Sequence, residues 1–218
     1  MMKDINQIMG AFRDGHHEFE NGRIEGVQGV DPYDLFNAWT EEAVANEELE
    51  PNAFVLSTVS EDGKPSSRIV YLKDNFDGKL VLYTNYKSLK GEEIAQNANV
   101  SMLFFWPKSA RQIRIQGICS KVPEKISDDY FASRPRGSQI GAWASYQSEL
   151  LSSREELEQR VKEFEARFPN EVPRPEYWGG YWIEPKQFEF WQGRPSRLHD
   201  RVVFRAVDSE WKIERLNP

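Results

Sequence analysis

The spacing of apolar positions changes period several times along the chain, and each change marks an element. Leu35, Phe36, Trp39 and Ala43 recur at helical spacing. They follow Asp31-Pro32, an N-cap and first-turn pair, so "DPYDLFNAWTEEAV" predicts an amphipathic helix. "AFVLSTV" is an apolar run of strand length. "SEDGKP" carries the Asp-Gly hairpin signal and leads into "SSRIVYLK" as a second strand. "DNFDGK" turns the chain into "LVLYTN", and a short helix is expected in "SLKGEEIAQN". "VSMLFFW" and "RQIRIQGICSKV" are two further strands, separated by Pro107 and a polar turn.

Beyond residue 122 the pattern becomes helical. "PEKISDDYFASRP" predicts a helix from Pro123, "RGSQIGAWASYQS" a short helix and a loop. "SSREELEQRVKEFEARF" has a Ser-x-x-Glu capping box ahead of its helix. A proline-rich connection, "PNEVPRPEYWGG", precedes three more strands: "GYWIEP" running into "QFEFWQG", then "LHDRVVFRAV" and "WKIERL". Antiparallel strands joined by tight turns, with helices attached, predict an α+β protein around a small antiparallel barrel.

Composition narrows the function. The formal net charge of −7 argues against nucleic acid as the main partner. A single cysteine, Cys119, excludes an intrachain disulfide. Three histidines and that cysteine lack ligand-like spacing, so no metal is expected. The charged N-terminal stretch has no signal-peptide core, and no run approaches the roughly 20 apolar residues that span a bilayer. The expected location is the cytoplasm.

Basic and hydroxyl residues recur where strands end. Arg68 and Lys73 flank "IVYL" at odd separation, so on a regular strand they face opposite ways and could serve two anions. Tyr83 and Thr84 end the following strand. Lys90 sits in the first turn of the next helix, where a cation is out of place unless an anion joins it. A snorkelling surface lysine is the blander reading. Tyr130, Arg134 and Ser138 are spaced by four and offer donors suited to phosphate, although Pro135 redirects the helix. The alternative is an arginine satisfying carbonyls at a helix end. Gln147 and Ser148 add neutral donors.

"FWQGRPSRLHDR" poses a separate question. If residues 197–203 are extended, Arg197, His199 and Arg201 share one face. Such a row either guards a strand edge or lies against something anionic or electron-rich. No Gly-x-Gly-x-x-Gly follows a strand, no Walker motif or nucleophile elbow is present, and no Ser-His-Asp or Cys-His set forms. The inventory suits holding anionic ligands while a cofactor does the hard chemistry.

The stretches "RIVYLK", "YTNYKSLKG", "RQIRIQG", "YFASRPRGSQIGAW", "YQS", "WGGYWIEPKQFEFWQG" and "RLHDR" together resemble the pyridoxamine 5′-phosphate oxidases, FMN enzymes of vitamin B6 metabolism. The likeness runs from about Asp31 to Pro218. It implies one FMN-binding domain over 31–218, an antiparallel split β-barrel with peripheral helices that forms a homodimer with flavin sites at the interface. Residues 1–30 would be an N-terminal segment serving as an active-site lid.

The resemblance also implies roles. FMN would be contacted by Arg68, Ile69, Val70, Tyr71, Leu72, Lys73, Tyr83, Thr84, Lys90, Gln112, Gln147, Ser148, Trp191 and Arg201. Lys73, Tyr130, Arg134 and Ser138 would hold the substrate phosphate. Arg197 and His199 would lie over the substrate ring as the catalytic pair. The implied reaction is oxidation of pyridoxamine or pyridoxine 5′-phosphate to pyridoxal 5′-phosphate, with O2 as acceptor and hydrogen peroxide released. A flavin reductase of the same fold would not need Tyr130, Arg134, Ser138, Arg197 and His199 together; a non-catalytic binder of FMN or B6 phosphate would lack turnover. Two positions depart from the family. Leu89 stands where the family often has arginine, with Lys87 nearby as a replacement cation. "HHEFENG" offers His17, Glu18 and Phe19 where the family's lid has Arg-Glu-Tyr.

Overall fold

The computed structural model describes Phe19 and residues 22–76, 78–208 and 210–218. Helix α1 (Pro32–Ala45) begins as its sequence requires: the Asp31 carboxylate accepts from the Tyr33 N–H, and Pro32 takes the first turn. Strands β1 (Ala53–Val59) and β2 (Pro65–Tyr71) form the expected hairpin, with Leu56 opposite Arg68. The "DNFDGK" turn is itself a small hairpin. β3 (Asp74–Phe76) pairs with β4 (Lys79–Asn85).

Helix α2 (Leu89–Gln96) follows, then β5 (Asn99–Trp106) and β6 (Arg111–Lys121). Helices α3 (Glu124–Ser133) and α4 (Arg136–Ala144) are separate, because Pro135 cannot continue the first and instead starts the second. Helix α5 (Arg154–Arg167) is capped by Ser153, whose hydroxyl accepts from the Glu156 N–H. β7 (Trp178–Gln192), β8 (Asp200–Val207) and β9 (Glu210–Arg215) complete the chain.

The nine strands of the described residues form one antiparallel sheet in the order β2-β1-β5-β6-β7-β4-β3, with β8 on β7 and β9 on β8. "GYWIEP" does run into "QFEFWQG", as one strand of 15 residues. Its first part pairs with β4 and its last part with β8, while β6 runs beside both. The register slips at Gln116/Gly117, opposite Pro185, and a bulge is where a strand tolerates proline. Gly117 is required there: a Cβ would lie 2.6 Å from the Glu184 carbonyl oxygen.

The sheet curls around one apolar face. Phe54, Leu56, Met102, Phe104, Ile113, Ile115, Phe188, Phe190 and Phe204 are buried on it, and α1 closes it with Phe36 and Trp39. Trp39 meets Phe190 edge-on at 5.2 Å, and Phe36 meets Phe104 at 5.4 Å. A second cluster, Phe131, Ile140, Val172 and Trp178, ties α3 and α4 to the start of β7. This cluster positions the candidate site. Among the described residues no helix is long and apolar enough to cross a membrane.

Candidate active site

Between β2, the end of β4, the start of α2 and the α3–α4 corner lies a cleft of about 620 Å³. Of the residues singled out from sequence, Arg68, Ile69, Val70, Tyr71, Lys73, Tyr83, Thr84, Lys90, Tyr130, Arg134, Gln147 and Ser148 line it. Strand β2 ends at Tyr71, so Lys73 lies beyond the regular strand. Its ammonium sits 4.9 Å over the Tyr71 ring, on the outer side, whereas Arg68 turns inward to Thr58 and Ser66. Leu72 packs against the core, and Ser138 lies exposed in the first turn of α4; neither lines the cleft.

An aromatic floor holds Arg134. Tyr83 and Tyr130 stack at 3.7 Å and 7°, and Trp178 continues the stack 5.7 Å from Tyr83. The Arg134 guanidinium lies 4.4 Å over the Trp178 ring, and its Nη1 is buried with no hydrogen-bond partner among the described residues. Burial pulls its pKa down, with Tyr130 opposing. A buried guanidinium nitrogen without an acceptor is costly unless an anion completes it. Burial pushes the Tyr83 phenol up to about 12 and raises that of Tyr130 as well, so both are proton donors at neutral pH.

At the other end of the cleft Lys90 is buried, and its Nζ donates to Ser88 Oγ at 3.0 Å. Desolvation chiefly, and the Arg68 charge next, lower its pKa from 10.5 to about 8, with Glu93 opposing. Below about pH 8 the folded protein bears a buried charge at a cost, and stability recovers as pH rises from 8 toward 10.5. A bound anion would remove the cost.

Leu89 lines this end of the cleft, its N–H donating to Ser148 Oγ at 3.1 Å. Ser148 holds that position with φ of 74°, in the left-handed region. Lys87 does not replace the missing cation: its ammonium rests 5.3 Å over the Tyr177 ring and is not part of the lining. Leu89→Arg should therefore tighten binding of an anion at this end by about 1 kcal/mol, the scale of a partly screened charge. Lys87→Ala should change nothing in either background. Titration of the two single variants and the double variant checks both statements.

Gln112, Trp191, Arg197, His199 and Arg201 form a second group, and none of them lines the cleft. Gln112 pairs with Trp191 and Trp191 with Arg201, so three adjacent strands present them in one row. The extended reading of 197–203 is corrected. Residues 195–197 form a 3₁₀ turn, with Ser196 and Arg197 at φ of 55° and 60°, and β8 starts only at Asp200. Two successive non-glycine residues in the left-handed region are strained, as functional turns often are. The His199 ring packs 4.6 Å from Trp191, and its Nδ1 accepts the Arg194 N–H at 3.1 Å. Burial and then the Arg197 charge hold its pKa below the ordinary value. Neutral His199 thus carries its proton on Nε2, as a donor. Phe19 lies against both rings, at 5.9 Å from Trp191 and 6.1 Å from His199. His17 and Glu18 are outside the described residues.

Several residues here escaped the sequence reading. Glu189, 2% exposed, receives Arg201 at 2.7 Å and Arg114 at 3.4 Å, so the anion beside Arg201 belongs to the chain itself. Its signal was a lone carboxylate between Phe188 and Phe190. Glu93 grips Arg68, and Trp178 extends the aromatic floor. No local pattern showed that either would be buried here.

Residues 40–168 match the family model described as pyridoxamine 5′-phosphate oxidase, and residues 178–218 match the pyridoxine 5′-phosphate oxidase C-terminal dimerisation region. The chain belongs to the pyridoxamine 5′-phosphate oxidase family. The pyridoxine/pyridoxamine 5′-phosphate oxidase of Leptospira biflexa is 51% identical over 195 residues, covering 89% of this chain and 92% of that one. The enzyme of that name from Bordetella pertussis is 47% identical over 207 residues, covering 94% and 98%. Among solved structures, PhzG from Burkholderia lata in complex with tetrahydrophenazine-1-carboxylic acid superimposes with a TM-score of 0.86 at 29% identity, covering 93% of this chain and all of that one. A pyridoxamine 5′-phosphate oxidase-related, FMN-binding protein from Nostoc punctiforme shares the fold at 16% identity, with a TM-score of 0.70, covering 87% of this chain. The cleft and the strand row are thus features of a pyridoxamine 5′-phosphate oxidase family fold.

Proposed function

We propose that the protein oxidises pyridoxamine 5′-phosphate or pyridoxine 5′-phosphate to pyridoxal 5′-phosphate with FMN and O2, releasing hydrogen peroxide. The observation that carries the reading is Arg134: a buried, unpartnered guanidinium nitrogen in the cleft of a chain whose relatives at about half identity bear that enzyme's name. The donor set fits two phosphates. Lys90 and Arg68, with Tyr83, Thr84, Gln147 and Ser148 near them, would hold the flavin phosphate and ribityl chain, beside Ile69, Val70, Tyr71 and the backbone at Leu72. Lys73, Tyr130, Arg134 and, from the first turn of α4, Ser138 would hold the substrate phosphate.

When bound, FMN supplies the two-electron oxidant, taking a hydride equivalent from substrate C4′ and passing both electrons to O2. The chain supplies placement and field. Two phosphate anchors at opposite ends of one cleft would fix the substrate relative to the flavin, and such positioning can account for much of the rate. Arg201, held by Glu189, would face negative charge developing on the flavin ring. Arg197 would clamp the substrate ring, and the His199 Nε2–H would donate to it.

The second group lies off the cleft, and we infer that the two groups meet across a homodimer, with the row Gln112–Trp191–Arg201 of one subunit completing the cleft of its partner. The match of 178–218 to a dimerisation region supports this, as do the exposed Ile69, Tyr71 and Phe105 on the outer sheet face. The segment before residue 31 would act as a lid, with Phe19 packed on Trp191 and His199. The protein should purify yellow, as a dimer with one FMN per subunit, and should convert pyridoxamine 5′-phosphate to pyridoxal 5′-phosphate with equimolar peroxide. A colourless monomer that ignores added FMN, or a yellow protein without turnover, contradicts the reading.

A further inference from the structure

Behind the cleft, a buried carboxylate organises the two cations assigned to the flavin phosphate. Glu93 of α2 is 4% exposed. It accepts from Ser66 Oγ at 2.6 Å, from Thr58 Oγ1 and from Arg68 Nη2 at 3.2 Å. Arg68 in turn donates from Nη1 to Thr58 Oγ1 at 2.6 Å and to the Leu56 carbonyl at 3.2 Å, and from Nη2 to Ser66 Oγ. The proton directions are forced. Each hydroxyl has one proton, both protons point at Glu93, and both oxygens are left to accept from Arg68. The guanidinium is therefore locked across β1 and β2 by a carboxylate on a helix.

The same carboxylate lies three residues from Lys90 on α2, on one side of the helix. The charges that act on Lys90 are Arg68, across on β2, which opposes its protonation, and Glu93, which favours it. Its other neighbours along the cleft, Tyr83, Thr84, Asn85, Gln147 and Ser148, are neutral at neutral pH, while the cations Lys73 and Arg134 line the same cleft. Buried beside Arg68 without Glu93, Lys90 would lose its proton at a lower pH.

We propose that Glu93 is a positioning residue for flavin binding: it fixes Arg68 through Thr58 and Ser66 and places its carboxylate one helical turn from Lys90, so that the phosphate meets two preset cations. The proposal rests on the assignment of this end of the cleft to the FMN phosphate. It makes Glu93 work in two separable ways, one geometric and one electrostatic.

Flavin-stripped protein titrated with FMN, and separately with riboflavin, across about pH 6.5 to about pH 9.5 separates them. Riboflavin has no phosphate and controls for the rest of the site. In the wild type, FMN affinity should break downward near pH 8, where Lys90 titrates, while riboflavin affinity does not. In Glu93→Gln the break should move down by roughly one pH unit, the effect of removing a nearby opposite charge. Ser66→Ala keeps the carboxylate but loosens Arg68. It should weaken FMN several-fold at every pH without lowering the break, because the carboxylate stays and only the opposing Arg68 charge is loosened, and should leave riboflavin unchanged. An unmoved break in Glu93→Gln overturns the electrostatic role, and unchanged FMN affinity in Ser66→Ala overturns the positioning role. Should Glu93→Gln fail to fold, Lys90→Met takes its place: an FMN break that persists without Lys90 removes the group on which Glu93 is said to act. If wild-type protein binds FMN and riboflavin alike at every pH, the phosphate assignment itself falls, an outcome distinct from all the others.

Discussion

Replacing Arg134 with alanine should raise KM for pyridoxamine 5′-phosphate roughly tenfold to a hundredfold, the worth of about 1.5–3 kcal/mol for a hydrogen bond to a charged group. The flavin should remain bound, because its assigned phosphate ligands lie at the other end of the cleft. Binding that serves ground and transition states alike moves KM more than kcat, so kcat should change little. Unphosphorylated pyridoxamine should not distinguish the variant from the wild type. Stability should hold or rise slightly, since the substitution removes a buried nitrogen that lacks a partner. A helix-end arginine serving only structure predicts the opposite pattern: a lower melting temperature and an unchanged KM. Steady-state kinetics with the phosphorylated and unphosphorylated substrates, beside a thermal melt, separates the two.

Gly91→Ala should have the largest effect on folding. An added Cβ there would lie 2.2 Å from the Tyr86 carbonyl oxygen and 2.5 Å from its carbonyl carbon. Backbone cannot swing aside as a side chain can, so α2 would have to move. Overpacking of this kind costs about 3 kcal/mol or more. The displacement would carry Lys90 and Glu93 with it, so flavin retention should fall together with stability. Gly141→Ala on α4 is the control. Nothing lies within 4 Å of its added Cβ, and it should be neutral or stabilising by up to about 1 kcal/mol. Urea unfolding of both variants checks the contrast; equal stability would mean that α2 is free to shift.

How much of this was legible in the sequence depended on the range of the interaction. The α1 cap, the Asp-Gly hairpin and the Ser153 capping box are local, and each appears where its residues place it. So does the break at Pro135, which splits α3 from α4 and leaves Arg134 at the corner between them. The turn at 195–197 was missed because nothing in Pro-Ser-Arg calls for two left-handed residues. The continuity of β7 through Pro185 was readable, but the register slip in β6 that lets the strand tolerate this proline was not. The partners of the cations were hidden more deeply. Glu93 and Glu189 look like ordinary solvated acids, and only the packing of α2 on β1 and of β6, β7 and β8 side by side buries them against Arg68, Arg114 and Arg201.

The cation inventory itself was readable, since six of the basic and phenolic side chains named from spacing (Arg68, Lys73, Tyr83, Lys90, Tyr130 and Arg134) do meet in one cleft. That the strand row Gln112–Trp191–Arg201 would lie off that cleft was not readable from periodicity, because the period of a strand fixes which face a side chain takes and not which cleft that face borders.

The most direct test is an absorption spectrum of the purified yellow protein, recorded before and after anaerobic addition of pyridoxamine 5′-phosphate. The flavin band should bleach with one equivalent per subunit, and pyridoxal 5′-phosphate should form in the same amount. Admission of air should restore the band and release hydrogen peroxide. A spectrum that does not change on adding the substrate, in protein that holds its flavin, would contradict the assignment of this cleft to B6-phosphate oxidation.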